Sequence, residues 1–276
     1  MSGLSADLAN NILDWLHGGT AYTPPATTYF ALMTSMPSSS GGGTEVSGGS
    51  YGRVAVTNDA AHWPASVAQI KQNAVAINWG TATGPWGTVL GIAEYDAAAV
   101  GNLLTFYLFP TPVAIPSGSS FVIPVNGGEF TGWATVSPLS GASNYLANKI
   151  NDWLHGGTTF VPPATTYFAI MTTQPTAGNT GGVEAAGTGY ARVAFANTLA
   201  HWPIAVGQTK NNAAPIDWGT AAANWAPSPG ATGIAEFDAA VAGNLLHWGL
   251  FSNGLQIITT GTPFQIPTNG AAITAQ

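Results

Sequence analysis

The residue types best suited to acid–base chemistry occur in duplicate. His62 and His201 each stand in a His-Trp-Pro triplet, and Glu94 with Asp96 recurs as Glu236 with Asp238. An imidazole can move a proton near neutral pH. Two carboxylates spaced two apart on a strand share a face, where they can hold a divalent cation or act as a pair. A general base, however, needs a nucleophile to activate or a partner to orient it. No Gly-x-Ser-x-Gly or His-Glu-x-x-His arrangement accompanies either histidine. The expectation is a corner or interface role for His62 and His201 and a local salt bridge for the carboxylates. No residue is assigned a catalytic, cofactor-binding or metal-ligating role. His17 and His155 follow apolar helical stretches and are expected to cap the last carbonyls there.

Flat aromatic rings offer a second kind of chemistry, because they can stack on sugars or fill a subunit contact. Trp63 and Trp202, beside loops expected to be flexible, are the expected contacts with other proteins. Trp86 and Trp225 are the candidates for glycan binding. Trp15, Trp63 and Trp79 sit in apolar or Pro/Gly surroundings, which favours core or interface over sugar platforms.

Composition narrows the options. Charged residues make up 6% of the 276 positions and hydrophobic ones 46%, against roughly 25% charged in an ordinary soluble domain. A surface of Ser, Thr, Asn, Gly and Ala costs little to desolvate, which suits a chain packed into an assembly. The net charge is −7, and the basic residues are only Arg53, Lys71, Lys149, Arg192 and Lys210. No cationic stripe exists to bind phosphates or anionic lipid, so neither nucleic acid nor membrane is an expected partner. The few cations are expected to pair with Glu45, Glu94, Asp96 and their equivalents. Without cysteine there is no thiolate nucleophile or sulfur-ligated zinc. The N-terminus lacks a signal-peptide pattern, and the apolar run Leu103 to Phe109 stops at Pro110, far short of a bilayer span.

The elements that must position these residues are written twice. Ile12-Leu13-Asp14-Trp15-Leu16-His17-Gly18-Gly19 returns from Ile150 to Gly157, and Pro24 to Ala31 returns as Pro162 to Ala169. Tyr51 to Ala55, Ala61 to Pro64, Lys71 to Asn73, Trp79 to Thr81, Gly91 to Glu94 and Gly101 to Leu104 all have later counterparts. A repeat of this length means two domains of one fold, here 1–137 and 138–276, in which one chain imitates a two-fold dimer.

Within each repeat, Leu8, Ile12, Trp15 and Leu16 fall on one helical face, with Ser5 as N-cap and Gly18-Gly19 as stop. Leu146, Ile150, Trp153 and Leu154 repeat the face. After Pro24-Pro25 the pattern changes to that of short strands: Tyr29 to Thr34, Gly52 to Thr57, Gly91 to Tyr95, Leu103 to Phe109 and Phe121 to Val125. Pro110, Pro112, Pro116 and Pro124 indicate that the last strands are edges or start beside loops. The expected fold is mainly β: two tandem β-sandwich-like domains, each with one N-terminal α-helix.

The elements Leu8 to Thr20, Pro24 to Ala31, Gly49 to Ala55 and Gly101 to Leu104, with their second copies, resemble a family of tailed-bacteriophage virion proteins commonly labelled tail fibre proteins. That resemblance implies a structural, non-enzymatic virion component made in the host cytoplasm, with no catalytic residues and no cofactor. The chain has no long stalk, collagen-like run or heptad repeat. Duplication, low charge and absent chemistry therefore favour, as first expectation, a capsid decoration or cement protein. It would bridge capsomers, contact the major capsid protein or other virion proteins, and touch its own copies. The alternative is a tail fibre or baseplate protein binding host-surface glycans. A glycan-acting enzyme using Glu94 and Glu236 is a third, weaker option.

Overall fold

Ser5 starts the first helix, α1 (Ala6–Leu16), by accepting a hydrogen bond from the Leu8 N–H at 3.0 Å. Ser143 does the same for α2 (Asn144–Leu154) through Leu146 at 3.1 Å. Each oxygen satisfies a backbone donor that the first turn leaves without a partner. The computed structural model describes residues 3–130 and 141–275. The domain boundary between 137 and 138, like Trp133, lies outside the described residues.

Among the described residues the first repeat carries ten strands: β1 (Gly3–Leu4), β2 (Thr27–Ser35), β3 (Thr44–Glu45), β4 (Val54–Thr57), β5 (Lys71–Gln72), β6 (Ile77–Thr81), β7 (Gly87–Tyr95), β8 (Leu103–Ile115), β9 (Ser120–Ile123) and β10 (Glu129–Phe130). The main sheet is antiparallel in the order β1-β8-β7-β2-β3, with β4 also pairing β2. A second layer is made of the β6–β9 ladder, with β5–β10 beside it. Phe30, Leu32 and Ile92 of the sheet close on Trp63, Ile77, Trp79 and Ile123, forming the core of a sandwich. Ala31, Met33, Ala93 and Phe106 pack on the opposite face, so β2 is buried on both sides.

The second repeat repeats this order with Gly141–Ala142, Leu245–Leu250, Gly233–Phe237 and Thr165–Thr173. Its second layer pairs Ile216–Thr220 with Pro263–Ile266 and Thr209–Asn211 with Ala272–Thr274. The expected class, mainly β with one helix opening each tandem domain, is what the structure has. β2, β7 and β8 exceed their expected lengths, β8 by the most: it runs through Pro110 and Pro112 to Ile115. The short β1 covers only Thr105 and Phe106, so these prolines sit where the outer side of β8 carries no ladder.

The helices join the repeats. Leu8, Ile12, Leu13, Trp15 and Leu16 share one buried cluster with Leu146, Ala147, Ile150, Trp153 and Leu154. Trp15 and Trp153 stack face to face, their centroids 3.6 Å apart and their planes 2° from parallel. Each indole also meets an edge-on ring from the opposite repeat, Phe160 on Trp15 and Tyr22 on Trp153, both at 5.7 Å. Equivalent residues meeting their own equivalents, with mirrored flanking contacts, are the mark of a two-fold relation.

The chain can leave each helix only through glycine. Gly156 has φ +123°, and a Cβ there would lie 2.8 Å from the Trp63 carbonyl oxygen of the other repeat. Gly156→Ala is therefore expected to destabilise the protein by at least about 1–3 kcal/mol. Gly52→Ala, where nothing lies within 4 Å of the added carbon, should leave the thermal midpoint unchanged; matched melting curves of the two variants check this.

Candidate functional site

A helix ends with carbonyl oxygens that have no intrahelical partner. In this protein the Thr20 and Thr158 N–H groups cap the Asp14 and Asp152 carbonyls from within the same repeat, at 3.1 and 3.2 Å, and the opposite repeat supplies the partner of the last carbonyl. Asn197 donates from Nδ2 to the Leu16 carbonyl at 2.6 Å while its Oδ1 accepts from the Gly18 N–H at 2.7 Å. Asn58 repeats the pattern on Leu154 at 2.7 Å and Gly156 at 2.6 Å. Each asparagine thus caps the helix of the other half with both ends of its amide.

One turn earlier, each helix presents an aspartate. Asp14 accepts from the Lys210 ammonium at 2.5 Å and from the Ala205 N–H at 2.7 Å. Asp152 accepts from Lys71 at 2.8 Å and from the Ser66 N–H at 2.7 Å. Both lysine side chains are fully buried. Burial lowers the basicity of Lys71 and Lys210, and the facing aspartates oppose that effect. For Asp152, burial would raise the carboxyl, yet the Lys71 and Ser66 hydrogen bonds and the Lys71 charge hold it below the ordinary carboxylate range.

Beyond the helix ends lie two buried carboxylates. Glu94 accepts from His155 Nε2 at 2.9 Å and from the Thr105 hydroxyl at 2.7 Å. Glu236 takes His17 Nε2 on both oxygens, at 3.1 and 3.2 Å, and His247 Nδ1 at 2.9 Å. Burial alone would raise both carboxyls. The facing imidazoles and their hydrogen bonds overcome it and hold Glu94 and Glu236 below the usual range. Among the described residues, His17, Glu236 and His247 are the group close enough together to share one metal ion.

The structure revises several expectations from the sequence. The backbone N–H of His17 closes its helix on Leu13, but the ring turns away from its own carbonyls to Glu236, and His155 likewise turns to Glu94. Glu94 and Asp96 are not a pair: Asp96 lies beyond the end of β7 and binds the Asn102 backbone and side chain at 2.7 Å. Lys71 meets neither Glu45, Glu94 nor Asp96 but the other repeat's Asp152. Arg53 does find Glu45, at 2.8 Å, with its guanidinium over the Tyr95 ring; Arg192 repeats this with Glu184 and Phe237. His62 binds Asp59 at 2.7 Å and His201 binds Thr198 at 3.0 Å, both within their own turns.

The four tryptophans expected at an interface are interior. Trp63 and Trp202 are 0% exposed and Trp86 and Trp225 3%, because each fills its own sandwich core. None has a ring face to offer a neighbouring protein or a pyranose. The cross-repeat residues Asn58, Asn197, Lys71 and Lys210 went unrecognised as partners of the helices. The available signal was that polar residues recurred as faithfully as apolar ones, in Asp14-Trp15-Leu16-His17 and in Lys71-Gln72-Asn73.

The family described as podophage GP4 fiber I protein gp80 matches residues 3–131 and again residues 141–274. No curated protein matches the chain.

Two predictions concern this interface. Asp14→Ala leaves a buried ammonium unopposed and should cost about 3–5 kcal/mol, whereas Asp14→Leu with Lys210→Met should cost much less; denaturant titration of both variants separates the cases. Glu94, Asp152 and Glu236 have folded-state pKa values below their unfolded ones, so their stabilisation is complete above the unfolded values, about pH 4–4.5, and is lost as pH falls through the folded ones. His247 is also pushed down, chiefly by burial, which again removes stability on acidification. The unfolding free energy should decline from near pH 6.5 downward and fall most steeply below about pH 4.

Proposed function

The chain belongs to the podophage GP4 fiber I protein family, with the family's domain present twice in tandem, and from that premise we propose that it is a fibre component on the tail of a phage particle. It is a virion structural protein. The observation that carries the fibre reading is the double match, which accounts for nearly every residue of both repeats. Capsid decoration, the first expectation from the sequence, finds no support in that match, which favours the fibre alternative; a specific contact with the major capsid protein goes with it.

The physical features suit such a place. A dimer-like unit held on one chain cannot dissociate on dilution, which matters for a part present in few copies. Four of the five basic side chains are already committed to carboxylates within the chain, leaving a surface poor in charge, with exposed apolar side chains such as Val67, Val100, Val161, Val206 and Val241, that other virion proteins can cover at little desolvation cost. No helix among the described residues is long and apolar enough to cross a membrane.

Immunogold labelling of intact particles, with copy number from quantitative gels, tests this reading. Gold confined to the tail and a few copies per particle are expected. Label spread over the head in hundreds of copies would overturn the fibre assignment and restore the capsid one.

A further inference from the structure

The two repeats are nearly the same molecule twice, so the places where they differ are informative. In the first, the strand position facing Glu94 is Thr105; in the second, the position facing Glu236 is His247. Two further differences border the same spot. Tyr107, opposite Ile92, is replaced by Gly249, opposite Ile234. Phe130, opposite Lys71, is replaced by Ile273, opposite Lys210. In the first repeat the Phe130 ring lies 4.4 Å from the His155 imidazole and 5.4 Å from Trp63, closing over the Glu94–His155 pair. In the second that bulk is gone, and a partly open cavity of about 460 Å³ is lined by Glu236, His247, Gly249 and Ile273 among others.

We propose that His17 Nε2, His247 Nδ1 and the Glu236 carboxylate bind one divalent transition-metal ion of the zinc class, at a site assembled across the two repeats and reached through the second-repeat cavity. Two imidazole nitrogens and one carboxylate oxygen are a ligand set that such ions take readily. Tetrahedral bonds of about 2.0–2.1 Å place ligand atoms about 3.3 Å apart. The carboxylate oxygens already stand 2.9 to 3.2 Å from the two nitrogens, and the three ligand atoms lie within 4.8 Å of one another. Little movement is needed to seat an ion among them.

Three protein ligands leave a fourth position, and the cavity puts water or a small ligand within reach of it. The same cavity is the path of entry that a wholly enclosed cluster would lack. The first repeat cannot copy the site, because Thr105 supplies no nitrogen and Phe130 covers the pair. Both imidazoles ligate through the nitrogens that now face the carboxylate, so protons compete with the metal and affinity falls with pH.

The test uses the full-length chain, without an affinity tag, stripped with chelator and titrated with Co²⁺ and Zn²⁺. One equivalent of Co²⁺ should bind with the visible absorption of a four-coordinate site and be displaced by Zn²⁺. Zn²⁺ near 100 times its Kd should raise the thermal midpoint by about 5–10 °C. His247→Thr, which installs the first repeat's own residue, should keep the fold by circular dichroism and lose both effects. A His62→Gln/His201→Gln variant should keep both. No stoichiometric binding by the parent chain, binding retained by His247→Thr, or binding lost with the two surface histidines would each overturn the proposal.

Discussion

Each helix finishes its hydrogen bonding with atoms from the other repeat, and most of the structure follows from that. The Leu16 and Leu154 carbonyls end on Asn197 and Asn58, and Gly18 and Gly156 give their N–H groups back to the same amides. Neither helix end is complete within its own half. The buried aspartate–lysine and glutamate–histidine pairs lie around these caps and likewise draw one partner from each repeat. Buried ionic groups of this kind add little net stability, but misplacing one partner is costly. They therefore fix which surfaces meet and in what register, while the apolar cluster around Trp15 and Trp153 supplies the driving force.

That division of labour explains the odd composition. A chain with so few charges has placed Lys71 and Lys210 in its interior and bound Arg53 and Arg192 to local glutamates and loop carbonyls. What remains outside is largely uncharged, small polar residues together with apolar side chains such as Val100, Val161 and Val241. The two copies also differ beside one buried carboxylate: the second repeat has His247, Gly249 and Ile273 where the first has Thr105, Tyr107 and Phe130.

Local features were the legible ones. Ser5, the Leu8–Ile12–Leu16 face and Gly18 announce the helix, and the tandem repeat announces two like domains with dimer-like symmetry. Arg53 with Glu45 followed from scarcity of charge. The partners of Asp14, His17 and Asn58 were not legible, because they lie between 96 and 219 positions away in sequence and no periodicity encodes which surface folds over a helix end. The tryptophans misled for a related reason. Flanking prolines and glycines suggest loops, and Trp63 does sit in one, yet that loop turns its indole inward onto Phe30 and Phe130.

If the helix ends are completed only across the joint, the halves cannot unfold one at a time. Differential scanning calorimetry of the intact chain measures this directly. A single transition is expected, with calorimetric and van't Hoff enthalpies equal. Two resolved transitions, or a calorimetric enthalpy about twice the van't Hoff value, would mean that each repeat stands alone, and would contradict the account.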